Sequence, residues 1–208
     1  MSKSSYHHGN LREALVDAAL ALVEEKGPAG LTLRAAARKA GVSQAAPYRH
    51  FADKETLLAA VAEKGFHNMA AFMREACVPY KDDPLRRLNE LGVSYVLFSV
   101  QHPNQFRVMF GPEVADKKKH ADLHKAAQQT FSLLTQGIAD YTGSGQAPAE
   151  IKTGKEAALA AWAIVHGLSS LIVDGQLEPI GIKKKDIEQV VRSVLASDQI
   201  LQSKFVGS

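Results

Sequence analysis

The segment Leu31–Leu58, LTLRAAARKAGVSQAAPYRHFADKETLL, constrains the fold more than any other part of the chain. Thr32 suits an N-cap, because a side-chain oxygen there accepts an orphaned amide of the first helical turn. Leu33, Ala36, Ala37 and Ala40 then recur at helical spacing and give one apolar face. Gly41 follows, the residue best able to leave a helix in the left-handed conformation. Ser43 is expected to cap a second, very short helix, QAAPYRHF, and Asp53 a third that begins KETLL. Two short helices about a glycine turn read as a helix-turn-helix, in which the second helix enters the DNA major groove.

Charge is distributed in keeping with this reading. Residues 1–54 hold eight Lys/Arg against five Asp/Glu, net +3, while the remaining 154 residues hold 17 of each sign. The whole formal excess therefore sits with the helix-turn-helix, and His7, His8 and His50 can add to it. A basic module on a neutral body is the electrostatic footprint of a DNA binder.

The rest of the chain reads as helices. Asn10 with Glu13 resembles a capping box, and Leu11, Leu15, Ala18, Ala19 and Leu22 form the stripe of a first helix that Gly27-Pro28 ends. A long helix is expected from Lys54 toward Cys77, another over roughly Leu85 to Gln101 with Pro84 suiting its first turn, and a short amphipathic piece from Asn104 to Phe110. Further helices are expected near Asp116–Tyr141, Lys155–Gly175 and Asp186–Leu201, with TGSGQAP a surface loop. No stretch alternates with period two, so the fold class is all-α with about nine helices. No apolar run is expected to reach the length of a membrane span, and the polar SKSSYHHGN start is no signal peptide. The single cysteine, Cys77, excludes an internal disulfide framework and suits a reducing cytoplasm, where it reads as a small apolar filler.

The order of cap, small-residue helix, G-V-S turn, Y-x-H-F and K-E-x-L-L in TLRAAARKAGVSQAAPYRHFADKETLL resembles the TetR family of bacterial transcriptional repressors. The opening YHHGNLREALVDAAL looks like the start of many members. HPNQFRVMFGPEV and AWAIVHGLSSLIVDGQL resemble the C-terminal domain of a subgroup with a W-x-x-x-H-G signature. The resemblance implies a DNA-binding domain over 1–54 and an effector-binding and dimerisation domain over 55–208, with operator release when a small molecule binds. Pro47 departs from the usual family pattern and removes one backbone donor from a helix only about two turns long.

The residue chemistry of the first domain assigns roles. Ala45 and Ala46 let the second helix bring its backbone close to base edges. Gln44 is able to read an adenine through a bidentate amide contact, or stands as a solvated helix-start residue. Tyr48 is able to offer its hydroxyl to a phosphate while its ring packs on the domain. Lys54, in the first turn of the next helix, sits beside amides that favour an anion, and Thr32 and Arg34 are similarly placed on the preceding helix. Thr32, Tyr48 and Lys54 are the expected phosphate anchors, which fix register without carrying sequence information. The family resemblance adds a phosphate contact at Ser43; His50 lies just beyond and is counted with the DNA-facing set, whereas Phe51 reads as core.

In the second domain, Ala157, Ala160, Ala161, Ile164 and Gly167-Leu168 offer a small-residue face, and Ile187, Val190, Val191, Val194 and Leu195 a matching stripe. These faces either close the monomer core or pair two copies, and the resemblance implies a four-helix dimer bundle. Tyr95, Phe98, Phe106, Met109, Phe110, Phe131 and Leu134 are able to line an effector pocket or to form solid core. His102, Trp162 and His166 are the polar or amphipathic members of that set, and Trp162 and His166 share one helix face. His120 and His124, four apart, have metal-clamp spacing, with Asp116 or Asp122 as the available third ligand, but a Lys-rich neighbourhood favours solvation. No nucleophile motif, phosphate-binding glycine loop or metal set is present, so neither an enzyme nor a cofactor is expected. The function expected is a homodimeric regulator, a repressor freed from a palindromic DNA operator by a small molecule; the alternative is a regulator that is constitutive or under protein control.

Overall fold

The described residues of a computed structural model, 11–114, 119–147 and 154–196, form eight α-helices and hold no strand. These are α1 (Leu11–Lys26), α2 (Leu33–Lys39), α3 (Lys54–Cys77), α4 (Pro84–Gln101), α5 (Pro103–Phe110), α6 (Ala121–Gly143), α7 (Lys155–Val173) and α8 (Ile187–Ala196). The all-α class is as expected; Pro84 begins α4 as anticipated from its missing amide, and Pro103, which was expected only to break the preceding helix, begins α5. Asn10, Asp116 and the end of the last expected helix lie outside the described residues.

The chain divides into two compact units, one from the described residues of Met1–Phe66 and His102–Ala126, the other from those of His67–Gln101 and Ala127–Ser208. In the first unit, Leu15, Ala19 and Val23 of α1 are fully buried with Leu31, Ala36, Ala37, Leu57 and Val61. Helix α5 belongs to this unit. Nδ2 of Asn104 donates to the carbonyl of Glu24 at 3.0 Å, and the Glu24 carboxylate accepts the Gln105 amide. A Cβ at Gly65 of α3 would fall 2.7 Å from Cγ and Sδ of Met109, so a glycine there lets α5 come close.

In the second unit α4 packs against α7 and α8. Leu88, Ile138, Tyr141 and Ala158 form a core cluster, with Phe131 and Leu134 against it. Ile187 and Val191 are buried, and Leu195 approaches Gly92 so closely that a Cβ there would lie 2.9 Å away. Most of the α8 stripe thus closes this unit, leaving Val194 exposed. Two ion pairs tie the helices, Arg87 to Asp140 at 2.6 Å and Arg192 to Glu90 at 2.8 Å. Such partly exposed pairs contribute at most about 1 kcal/mol each, whereas each buried Leu or Val contributes roughly 1.5–3, so apolar burial dominates.

Helix α7 is apolar on both sides. Ala158, Val165 and Ser169 are buried, while Leu159, Ala163, Gly167 and Leu171, spaced four apart, are exposed. By length and composition α7 suffices to cross a membrane, with a mean hydropathy of 1.6, which corrects the expectation that no run reaches that length.

Candidate nucleic-acid interface

Local chemistry builds the helix-turn-helix residue by residue. Thr32 is extended, and its Oγ1 accepts the Ala35 amide at 3.0 Å, which starts α2 as expected. At the other end Gly41 has φ +70, the Val42 amide donates to the Ala37 carbonyl and the Gly41 amide to Arg38. This paired closure requires the left-handed residue that glycine supplies without strain. Oδ1 of Asp53 accepts the amide of Thr56, so α3 starts on the expected cap.

The segment between departs from expectation. In place of a helix over QAAPYRHF there is one 3-10 turn, Ala46–Arg49. An α-helical turn would send the amide of residue 47 to the Ser43 carbonyl, and Pro47 has none. That carbonyl instead accepts the Ala46 amide at 3.0 Å, which is 3-10 spacing. The turn also opens on Ala45 without a side-chain cap, so Ser43 takes part through its backbone and not through the expected hydroxyl cap. The missing helix accounts for eight α-helices where about nine were expected.

Pro47 is buried and Phe51 is 1% exposed, so these two anchor the turn in the core, as expected for Phe51. The Arg12 guanidinium carbon sits 5.7 Å from the Phe51 ring centroid, a cation–π contact from α1. Against this anchored side, Thr32, Arg34, Ser43, Gln44, Ala45, Tyr48 and His50 are all exposed. Tyr48 is 54% exposed, so its ring is not a core residue. Lys54 is half-buried, with Nζ 3.5 Å from the Ala29 carbonyl. Arg38 and Arg49 are exposed in the same stretch and are absent from the expected contact set; the cation beside Tyr48 was the available signal.

The acids nearby are engaged. Asp53 is held below the usual carboxylate range by the Thr56 amide and hydroxyl, and Glu25 by the hydrogen bond and charge of Lys39. Asp17 pairs with Lys64. Among the described residues no ion pair engages Arg34, Arg38 or Arg49, so the exposed polar side of the module is cationic.

The expected effector residues are split between the units. Phe106 and Met109 are buried and Phe110 half-buried in the first, with Phe110 5.3 Å from Phe66. His102 in the same unit places Nδ1 3.4 Å from Glu24, whose carboxyl is raised by burial against the lowering effect of that imidazole. In the second unit, Phe98 lies 6.0 Å from Phe72, and Phe131, Trp162 and His166 come together with Tyr95. The Tyr95 hydroxyl is 2.9 Å from His166 Nδ1 and accepts from Trp162 Nε1 at 3.3 Å. Tyr95 was expected only as an apolar lining or core residue; no local spacing reveals its link to α7. Among the described residues no three His, Cys, Asp or Glu side chains are arranged to hold a metal, and His120 instead faces Glu55 at 3.9 Å.

Comparison with known proteins resolves the family. The model for bacterial regulatory proteins of the tetR family matches residues 15–61, and that for the tetracyclin repressor-like C-terminal domain matches residues 88–197. The chain belongs to the TetR family. It has the fold of a TetR-family DNA-binding transcriptional regulator. A protein with unknown function from Rhodococcus sp. RHA1 is 30% identical, with a TM-score of 0.78 over 97% of this chain and 98% of that one. The transcriptional regulator FadR from Bacillus subtilis, solved in complex with stearoyl-CoA, shares the fold at 19% identity and a TM-score of 0.65, over 91% of this chain and 97% of that one. Nucleoid occlusion factor SlmA of Marinobacter nauticus is 28% identical over 136 residues, which is 65% of this chain and 68% of that one. The tetracycline repressor protein class C of Escherichia coli is 48% identical over 52 residues, a quarter of this chain (25%) and 24% of its own length.

Proposed function

We propose that the protein is a cytoplasmic, homodimeric repressor that leaves a palindromic operator when a small-molecule effector binds. The observation that carries this reading is the polarity of the helix-turn-helix, with Pro47 and Phe51 buried and Thr32, Arg34, Ser43, Gln44, Ala45, Tyr48 and His50 exposed. On DNA, Thr32, Tyr48 and Lys54 anchor phosphates, Arg34 and Ser43 support them, and Gln44 reads a base edge over the low relief of Ala45. The functional division falls at residues 54 and 55.

One module makes few contacts, and two copies across a twofold axis occupy two half-sites. The second copy seats on the exposed α7 stripe of Leu159, Ala163, Gly167 and Leu171, joined by Val194 of α8. Nothing lies within 4 Å of a Cβ built at Gly167, which suits close helix approach. The effector site is placed at Phe98, Phe131, Trp162 and His166, within the W-x-x-x-H-G subgroup that Trp162, His166 and Gly167 mark. The solved complex of FadR with stearoyl-CoA gives a precedent for a small molecule on this fold. An effector that prefers the off-DNA dimer weakens operator affinity through a coupling of roughly 1–3 kcal/mol.

A mobility-shift titration against the DNA upstream of the encoding gene tests the reading. Affinity is expected to fall steeply as salt rises, because phosphate neutralisation releases counterions. A flat salt response overturns it.

A further inference from the structure

The first unit brings two segments far apart in sequence to one charged spot. His120 stands at the start of α6, where its carbonyl accepts the His124 amide at 2.9 Å. Its Nε2 lies 3.9 Å from Oε1 of Glu55, in the first turn of α3. Asp53, which caps that turn, also feels the charge of His120. Lys54 stands between these two acids in sequence, and it is one of the phosphate anchors of the reading above.

The contact depends on a proton. At 3.9 Å the imidazole is too far from Glu55 for a hydrogen bond, so a neutral ring gains little there. A protonated ring at the same distance gains an ion pair. The His120 side chain is 21% exposed and that of Glu55 51%, so the pair is partly shielded from solvent. Imidazole is the side chain whose charge changes between about pH 5 and 8.

Other groups at the spot do not do the same work. Among the described residues no Lys or Arg pairs with Glu55. Asp53 is engaged by Thr56, and Nζ of Lys54 lies 3.5 Å from the Ala29 carbonyl. On the α6 side the titratable neighbours of His120 are the exposed Lys119 and Asp122 and the half-buried His124. With His120 neutral, Asp53, Lys54 and Glu55 together carry a net charge of −1; with it protonated, the four groups sum to zero. Charges are felt over about 8 Å at physiological ionic strength, so the difference reaches a phosphate held at Lys54.

We propose that His120 sets the charge of the phosphate-anchoring turn of α3, so that operator binding tightens as pH falls from 8 to 6. It is a positioning residue that acts through Glu55 and Lys54 without touching DNA. Linkage makes the effect reciprocal, so duplex binding draws a proton onto the protein. The inference rests on the DNA-binding reading and adds a proton to its control.

Full-length protein is titrated into fluorescein-labelled duplex of the upstream DNA at pH 6 and pH 8, at one ionic strength, and anisotropy reports binding. Wild type is expected to bind more tightly at pH 6. Its pH 6 to pH 8 affinity ratio is expected to exceed that of His120→Gln about threefold to fivefold. Glu55→Gln is expected to bind more tightly than wild type at pH 8 and to respond less to pH. His50 is a second imidazole on the exposed side of the module, and His50→Gln is expected to keep the part of the response that His120 supplies. Without DNA, the His120 imidazole signal, assigned in NMR spectra by its loss in His120→Gln, is expected to titrate at lower pH in Glu55→Gln than in wild type. An affinity ratio that His120→Gln leaves unchanged overturns the inference, and so does a His120 midpoint that Glu55→Gln does not move. In either case salt-dependent duplex binding by the wild type leaves the DNA reading intact. Absence of duplex binding by the wild type at both pH values sinks that reading and this role together.

Discussion

Oδ1 of Asp53 accepts both the amide and the hydroxyl of Thr56, each at 2.8 Å, and so caps the start of α3. Both bonds favour the carboxylate and hold Asp53 below its ordinary value of 3.8. A carboxylate whose pKa is lower folded than unfolded stabilises fully above the unfolded value, and loses that effect as pH falls through the folded one. Asp53→Ala is expected to cost about 1 kcal/mol at neutral pH in denaturant titrations. The gap from wild type is expected to narrow as pH falls below the ordinary carboxylate value of 3.8.

Phosphate and base contacts separate by their salt dependence. Lys54→Ala is expected to weaken binding to all duplexes and to lower the slope of log affinity against log salt by about one. Tyr48→Phe is expected to weaken binding equally across sequences without changing that slope, because a hydroxyl displaces no counterion. Gln44→Ala is expected to reduce discrimination among operator variants by roughly 1–3 kcal/mol at one base position.

The exposed α7 stripe gives a third expectation. Leu159→Glu with Leu171→Glu places charge where a second copy would seat, while both side chains already face outward at 57% and 47% exposure. The double variant is expected to keep its helical circular dichroism, to sediment as a monomer where the wild type is expected to sediment as a dimer, and to lose about tenfold or more in operator affinity.

Cys77 is buried with Sγ 3.6 Å from the Arg87 carbonyl, and burial, then Glu90, pushes its thiol up to about 11. Because the thiolate is the reactive form, disulfide-exchange reagents are expected to label it roughly a hundredfold more slowly in folded than in unfolded protein. Stopped-flow labelling with and without guanidinium measures the ratio.

Restoring an amide at position 47 tests the cause of the 3-10 turn. In Pro47→Ala the new amide is expected to bond the Ser43 carbonyl and to show slowed hydrogen exchange in NMR. Rapid exchange at that amide would mean that the core around Phe51, not the proline, imposes the turn.

Much of this architecture is legible in single residues. Thr32, Gly41 and Asp53 act where their side-chain or backbone chemistry says they must, since caps and left-handed exits are local. The 3-10 turn was harder to foresee, because the effect of Pro47 depends on which carbonyl its missing amide would have reached. The stripe on α8 has clear helical period, but periodicity cannot say what lies opposite; Gly92 on α4 is what draws Leu195 inward. The same limit applies to the aromatic residues. Phe106 and Phe131 look alike in the sequence, yet the chain gives them to different units. Tyr95 and His166 stand 71 positions apart, and no spacing rule connects them.

The shortness of the Ala46–Arg49 turn has a consequence for gene selection. Four residues at about 2 Å rise each span only about 8 Å, or roughly two to three base-pair steps of 3.4 Å. On the proposed reading, a turn this short brings only Gln44 and few neighbouring side chains to the bases, so few letters are distinguished per half-site. The remaining selectivity then falls to how readily the intervening duplex bends and twists, and point changes in untouched spacer positions should matter as much as those under the protein.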